Sequence, residues 1–313
     1  MTKKIGLLFP GQGAQAVGMG KDLAAEFPIA AEFFRSADAI LGRELSGFMW
    51  EGSLDELTKT SNCQPALFVH GLAAFAVLRE LAGDLQPTAA AGLSLGELTA
   101  HCAAGTFEFA SGLRLVQRRG ELMDEACAAT NGTMIALIGA DENTARALAA
   151  AADIDLANIN SPGQIVLSGE RAKVEVAAAL SPEFGIRRAT MLNVAGAYHS
   201  RLMERAYQQF AAPLLETEMQ MPRFTVFSNV SGVAATTLPA IRQTLQDQIT
   251  GTVRWVDCMQ GMLDLGCNFF IELGPGSVLA GLLQRTRKGA DVVSVSDAAS
   301  ARACAQRLLT SFE

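Results

Sequence analysis

Residues 88–100 read Thr-Ala-Ala-Ala-Gly-Leu-Ser-Leu-Gly-Glu-Leu-Thr-Ala. Small apolar residues lead into Gly92-Leu93-Ser94-Leu95-Gly96, and helix-forming residues follow, so the stretch reads as strand, sharp turn and helix. The G-x-S-x-G pattern suits a strained turn in which flanking side chains larger than hydrogen would clash with the strand and helix on either side. Such a turn lifts the Ser94 hydroxyl to a helix N-terminus, where unpaired N–H groups and the helix dipole favour an oxyanion. The plainer reading, an ordinary strand-to-helix turn with Ser94 as N-cap, stands beside it.

A serine nucleophile needs a base, and the chain has three histidines. His101 lies seven residues into the helix after Ser94, roughly 10 Å along its axis, too far to reach the hydroxyl. His70 sits in the apolar helical stretch 66–82 and reads as a core or surface histidine. His199 follows Tyr198 where a small inserted unit returns the chain, a junction suited to facing a cleft, and is the base by elimination.

Working outward, Ile5–Phe9 is a strand entering the turn Pro10-Gly-Gln-Gly-Ala-Gln15. Gly11, Gly13 and Ala16 fit the dinucleotide fingerprint after a strand, but that motif wants a second strand with an acidic end about 20 residues on. Here 26–41 is helical, so nucleotide-cofactor binding is set aside. A Walker loop fails because Asp22 follows Gly20-Lys21. The loop can instead present the Gln12 N–H to an oxyanion together with that of Leu95. Arg119 lies on a helix over about 111–129, in apolar surroundings. It can clamp a substrate carboxylate or pair with Glu121, Asp124 or Glu125, and spacing leaves both open.

Helical spacing covers 21–41 and 66–82. From Asn131 the texture becomes strand 134–139, helix 142–151, strand 154–159, strand 164–168, helix 172–180 and strand 187–192, a βαββαβ order typical of ferredoxin-like units. Helices near 199–217, 238–250 and 255–265 and strands 225–228 and 268–273 then restore α/β texture. The expected architecture is a larger α/β domain formed by 1–129 and 196–313, with a ferredoxin-like small domain at 130–195.

Composition narrows the function. The 313 residues are 50% hydrophobic and 18% charged, enough for a substantial core and against disorder. With 25 Lys+Arg against 32 Asp+Glu, the net charge of −7 argues against nucleic acid as a partner. The six cysteines form no C-x-x-C and, with so few histidines, leave no metal site, so reduced thiols in a cytoplasmic protein are expected. Ile5 to Phe9 is too short for an export signal, and no uninterrupted apolar run reaches a membrane span.

Several stretches together resemble the malonyl-CoA:acyl-carrier-protein transacylase family, including the stand-alone acyltransferases of polyketide assembly lines. They are FPGQGAQAVGMG (9–20), QPAL (64–67), GLSLGELTA (92–100), LRLVQRRGELMDEA (113–126), NINSPGQIVLSG (158–169), YHS (198–200), TVRW (252–255) and ELGPGSVLAGL (272–282), in family order along nearly the whole chain. The resemblance implies a hydrolase-like large α/β domain with the ferredoxin-like insert. It implies Ser94 as the acylated nucleophile, His199 as base, Gln12 and Leu95 as oxyanion donors, and Arg119 as partner of the malonyl carboxylate. Leu93, Tyr198, Gln64 and Asn160 would border the substrate. The base would be oriented by a backbone carbonyl, matched here to Arg254.

Two departures bear on the acyl group: Leu93 stands where the family usually has His, and Tyr198 where malonyl-selective relatives often have Phe. The implied reaction moves malonyl from CoA to the phosphopantetheine thiol of an acyl carrier protein in fatty acid or polyketide biosynthesis, with no metal or organic cofactor and with the protein as a monomer. An α-substituted malonyl unit, a hydrolase that clears carrier-bound acyl groups, and a non-catalytic scaffold are the rival readings. Arg285, Arg287 and Lys288 form a basic cluster that fits either an acidic carrier and CoA phosphates or a solvated helix end.

Overall fold

Ile5–Phe9 (β1) is buried along its whole length, as its unbroken apolar run requires of a strand covered on both faces. The computed structural model describes residues 3–83 and 85–310 of the chain; the outermost ends of the two outer segments, 1–2 and 311–313, lie outside them. The other strands are Pro87–Gly92 (β2), Gly132–Ile138 (β3), Asp155–Ser161 (β4), Gln164–Glu170 (β5), Arg188–Met191 (β6), Thr225–Phe227 (β7), Phe269–Leu273 (β8) and Val292–Val295 (β9). They form two sheets.

The larger sheet has the order β7-β2-β1-β8-β9, and every pairing in it is parallel. Helices pack around it, so its central strands read as apolar runs without alternation. β1 and β2 are neighbours, and both run out at their carboxyl ends into glycine-bearing turns. This is where open parallel sheets place ligands.

The smaller sheet is antiparallel, in the order β4-β5-β3-β6, which is the ferredoxin-like arrangement read from the sequence. Period-two alternation divides its strands between two faces. Ile135 and Leu137 pack with Leu148 and Val174 of the helices Glu142–Ala152 and Arg171–Leu180, forming a core of their own. Met134 and Val166 belong instead to the main core cluster. The smaller sheet is tied to the segment before the helix Trp255–Asp264 where Ile159 N–H donates to Val253 O and Val253 N–H to Ala157 O, both at 2.8 Å.

Local chemistry explains where the elements differ from the sequence reading. The helical stretch 21–41 is two helices, Lys21–Glu26 and Pro28–Leu41, because Pro28 offers no N–H and Phe27 before it is extended (φ −126°, ψ 112°). The stretch 66–82 begins earlier, at Thr60, and carries Pro65 inside it. Pro65 leaves the Ser61 carbonyl without its helical donor, and Arg43 Nη2 supplies one at 2.9 Å. This helix has the length and apolarity of a membrane span, yet 72% of its most apolar window is buried within the protein. The stretch 199–217 opens as a 3₁₀ turn, Arg201–Met203, capped by the Ser200 hydroxyl, before the helix Glu204–Glu216. The edge strand β9 and the helix Ala298–Leu309 were not read at all.

The turn after β2 is fixed by close backbone approach. A Cβ on Gly92 would lie 1.8 Å from the Gly96 carbonyl, and one on Gly96 would lie 2.0 Å from Phe9 O. Neither obstacle is a flexible side-chain end, so the backbone itself would have to move. Gly96→Ala is therefore expected to lower unfolding free energy by about 3 kcal/mol or more, measured by urea denaturation. A loss within ~0.5 kcal/mol, the range of an ordinary surface change, would contradict this account of the turn.

Candidate active site

Ser94 sits at φ 54°, ψ −108°, directly before the helix Leu95–Ala103. Among the described residues only three non-glycine residues have positive φ, and His199 at 55° is another. Backbone strain of this kind persists where the surroundings over-determine it. At Ser94 those surroundings are explicit: Ser94 N–H donates to Asn229 Oδ1 at 2.7 Å, Leu93 N–H to Phe9 O at 3.0 Å, and Asn229 Nδ2 to Gly92 O at 2.8 Å.

The strained serine and the strained histidine meet. His199 Nε2 lies 2.9 Å from Ser94 Oγ, and His199 Nδ1 lies 2.7 Å from the Gln248 carbonyl oxygen. A carbonyl only accepts, so the proton of the neutral imidazole sits on Nδ1 and leaves Nε2 free to receive the Ser94 proton. Burial, and then the Arg119 cation, hold the His199 pKa down at about 4, against the pull of the Gln248 carbonyl. The imidazole is thus an unprotonated base throughout the neutral range. His101 and His70 are occupied elsewhere, by Thr106 Oγ1 at 3.0 Å and Ser296 O at 3.1 Å.

Arg119 is fully buried, and its Nη2 donates to Ser94 Oγ at 3.2 Å and to Gln248 Oε1 at 2.8 Å. Its Nε and Nη1 are buried without a hydrogen-bond partner. The surface-pair alternative for this arginine fails on geometry. Glu121 and Glu125 take Arg118, each at 3.2 Å, while Asp124 accepts from the N–H groups of Thr60 and Ser61. Burial lowers the Arg119 pKa to about 10, opposed by Glu97, so it remains a cation at neutral pH. A buried guanidinium with two idle nitrogens beside a serine hydroxyl has the chemistry to receive an anionic group.

A cleft of about 540 Å³ opens over this pair. Gln12, Gln64, Leu93, Asn160 and Tyr198 all line it with Ser94 and His199. Gln64 Oε1 and Asn160 Oδ1 are buried there with no partner, so both can accept from a bound ligand. The Tyr198 phenol oxygen is engaged by Thr60 Oγ1 at 2.8 Å, with Gln12 Nε2 at 3.5 Å. Leu95, buried, opens the helix immediately after Ser94, where N–H groups have no intrahelical acceptor.

Strand, elbow and base together are the furniture of acyl transfer through serine. An acyl transferase domain model matches residues 7–306. The chain belongs to this acyl transferase family. The malonyl CoA-acyl carrier protein transacylase of Haemophilus influenzae is 39% identical over 311 residues, 98% of this chain and 100% of that protein. The crystal structure of the acyl-carrier-protein-S-malonyltransferase from Bartonella henselae has a TM-score of 0.93 at 36% identity, covering 97% of this chain and 99% of that one. A malonyl-transacylase in complex with its holo type II PKS acyl-carrier protein has a TM-score of 0.92 at 35% identity, with 97% and 99% covered.

One assignment in this acyl transferase needs correcting. The carbonyl that orients His199 belongs to Gln248, six residues before Arg254. The Arg254 carbonyl accepts from the N–H groups of Asp257 and Cys258 as the helix Trp255–Asp264 begins. Its guanidinium pairs with Asp257 at 2.6 Å and with Glu142 of the insert at 3.3 Å. Gln248, Asn229 and Glu97 went unread because each acts through a long-range contact with no local motif. In the basic cluster, Arg285 meets Gln164 Oε1, and Arg287 borders a separate surface hollow with Asp264 and Asp291.

The pH dependence follows from the base. The unprotonated imidazole is the active form, so the second-order rate of Ser94 acylation is expected to stay level above about pH 6 and fall as pH drops through about 4. Stopped-flow acylation across that range checks it. A half-maximum near the unperturbed histidine value, about 6.5, would contradict a buried base beside a cation.

Proposed function

We propose that this acyl transferase moves a malonyl group from CoA to the phosphopantetheine thiol of an acyl carrier protein by way of a malonyl-Ser94 ester. The observation that carries the reading is the buried Arg119, with two unpartnered nitrogens and a third 3.2 Å from the nucleophile. A free carboxylate on the acyl group satisfies that cation, and an uncharged acyl chain leaves it bare. The relatives' names and the carrier-bound transacylase agree with this choice of donor and acceptor.

In the first half-reaction His199 Nε2 takes the Ser94 proton as Oγ attacks the thioester carbonyl. The negative charge developing on that oxygen is received by the N–H groups of Gln12 and Leu95, which fit an oxyanion hole. The C–S bond breaks, the imidazolium returns its proton to the leaving sulfur, and CoA departs as a thiol. In the second half-reaction His199 deprotonates the carrier's phosphopantetheine thiol. The sulfur attacks the ester, and Ser94 leaves with the proton back on Oγ. The cycle is ping-pong and balances with no metal or organic cofactor. Gln64 and Asn160, with their idle amide oxygens, suit the amide N–H groups of the pantetheine arm. The same reading takes the protein as a cytoplasmic monomer. Fatty acid and polyketide carriers alike offer the phosphopantetheine thiol this second step needs.

Two expectations test this reading. Incubation with malonyl-CoA should add one malonyl group to the intact mass, and the adduct should be absent in Ser94→Ala; a persisting adduct would reject Ser94. Arg119→Ala should cut acylation by malonyl-CoA about 100-fold or more while leaving acetyl-CoA within about tenfold, a difference on the scale of one charge-assisted pair. Rapid acetyl uptake followed by release to water in the unmodified protein would favour the hydrolase reading instead.

A further inference from the structure

Glu97 is fully buried in the first turn of the elbow helix, and the mechanism above makes no use of it. It does not cap its own helix. Its Oε2 instead accepts from Asn229 N–H at 3.0 Å and from the Gln248 side-chain amide. Both partners reach the reacting groups. Asn229 Oδ1 holds Ser94 N–H at 2.7 Å, while Gln248 Nε2 donates to Ser94 O at 3.0 Å. Gln248 Oε1 accepts from Arg119 Nη2 at 2.8 Å, and the Gln248 main-chain oxygen holds His199 at 2.7 Å.

We propose that Glu97 is a positioning residue for acyl-group selection, fixing which way round the Gln248 amide lies and thereby holding Arg119 at Ser94. An amide has a donor end and an acceptor end, and only one orientation satisfies this pocket. As found, Nε2 faces three acceptors, Glu97 Oε2, Ser94 O at 3.0 Å and, at the longer distance of 3.4 Å, Asn229 Oδ1, and Oε1 faces the Arg119 donor. Turned by half a revolution, the NH₂ group would confront the guanidinium, and Oε1 would confront these three oxygens. Without Glu97 the found orientation loses one of its acceptors, the amide is less firmly held, and Arg119 loses a fixed partner.

The orienting effect needs the acceptor oxygen of Glu97, while its charge, when present, separately helps to keep Arg119 protonated. Burial pushes the Glu97 carboxyl up to about 7, against the hydrogen bonds from Asn229 and Gln248, so both forms are populated near neutrality. A neutral carboxyl keeps an acceptor oxygen, as does a glutamine amide. Glu97→Gln is therefore the conservative rescue, and Glu97→Leu removes the acceptor while filling similar space.

The proposal rests on Arg119 acting as the malonyl clamp, and the experiment separates the two. Single-turnover self-acylation of the full chain is measured with malonyl-CoA and acetyl-CoA, as maximal rate and half-saturating concentration, in Glu97→Leu, Glu97→Gln, Gln248→Met and Arg119→Ala. Gln248→Met breaks the same link from the other side and keeps the main-chain oxygen for His199, so it carries the test if Glu97→Leu does not fold. The expected result is a fall of about tenfold in the malonyl-to-acetyl ratio in Glu97→Leu and Gln248→Met, mostly as a raised half-saturation for malonyl-CoA, with Glu97→Gln within about threefold of the unmodified chain. Equal losses for both acyl groups, or an unchanged ratio in Gln248→Met, would overturn the proposal and leave Glu97 as a stabilising core residue. An unchanged ratio in Arg119→Ala itself would instead overturn the clamp, and the proposal with it.

Discussion

Ser94 Oγ and His199 Nε2 stand 2.9 Å apart although 105 residues separate them in the chain. Much of the architecture serves that contact. The parallel sheet lays β1 beside β2, so the turn carrying Gln12 and the turn carrying Ser94 emerge at the same edge. The insert leaves the main chain at β3 and returns it just before His199, which brings the base to the mouth of the cleft that the insert helps to wall. Both residues adopt positive φ, and each is held from elsewhere in the chain: the Asn229 side-chain oxygen accepts from Ser94 N–H, and the Gln248 carbonyl holds the His199 ring. The strain is thus supported from outside the two residues that bear it.

The second organising feature is a buried positive charge. A fully buried guanidinium is costly unless its donors are matched, and here only Nη2 has protein partners. The unmatched nitrogens leave the site incomplete until an anionic group enters. Beside burial, which is the larger cause, the same cation helps to keep His199 unprotonated, and it donates to the serine oxygen. One side chain is therefore placed to act, in the proposed reaction, on an acidic acyl group, a neutral base and a developing alkoxide together. Gln248 links these functions by offering its main-chain oxygen to the base and its amide to the arginine and the serine carbonyl.

What could be read from the sequence was whatever is encoded locally. The glycines flanking Ser94 announce a turn that only they can make, and the βαββαβ order within 130–195 announces a small sheet with its own helices. Ser94, His199 and Arg119 were reached through turn chemistry, elimination and apolar surroundings, and the structure brings the three together. The orienting carbonyl was not legible, because any residue can supply a carbonyl and its side chain carries no signal. It was matched to Arg254, whose backbone is consumed in starting a helix. Glu97 and Asn229 escaped for a related reason, since a buried polar side chain in a sequence looks the same as an exposed one. The break at Pro28 was visible in principle, whereas the carbonyl freed by Pro65 and taken by Arg43 was not.

The account stands or falls on His199 acting directly on Ser94. The most direct measurement is the single-turnover rate of ester formation at Ser94 in His199→Ala, with folding verified by an unchanged thermal midpoint. Loss of a positioned general base predicts a rate lower by about 10²–10⁴-fold with substrate binding retained. A rate within a few-fold of the unmodified protein would show that the imidazole, however close, takes no part in the chemistry.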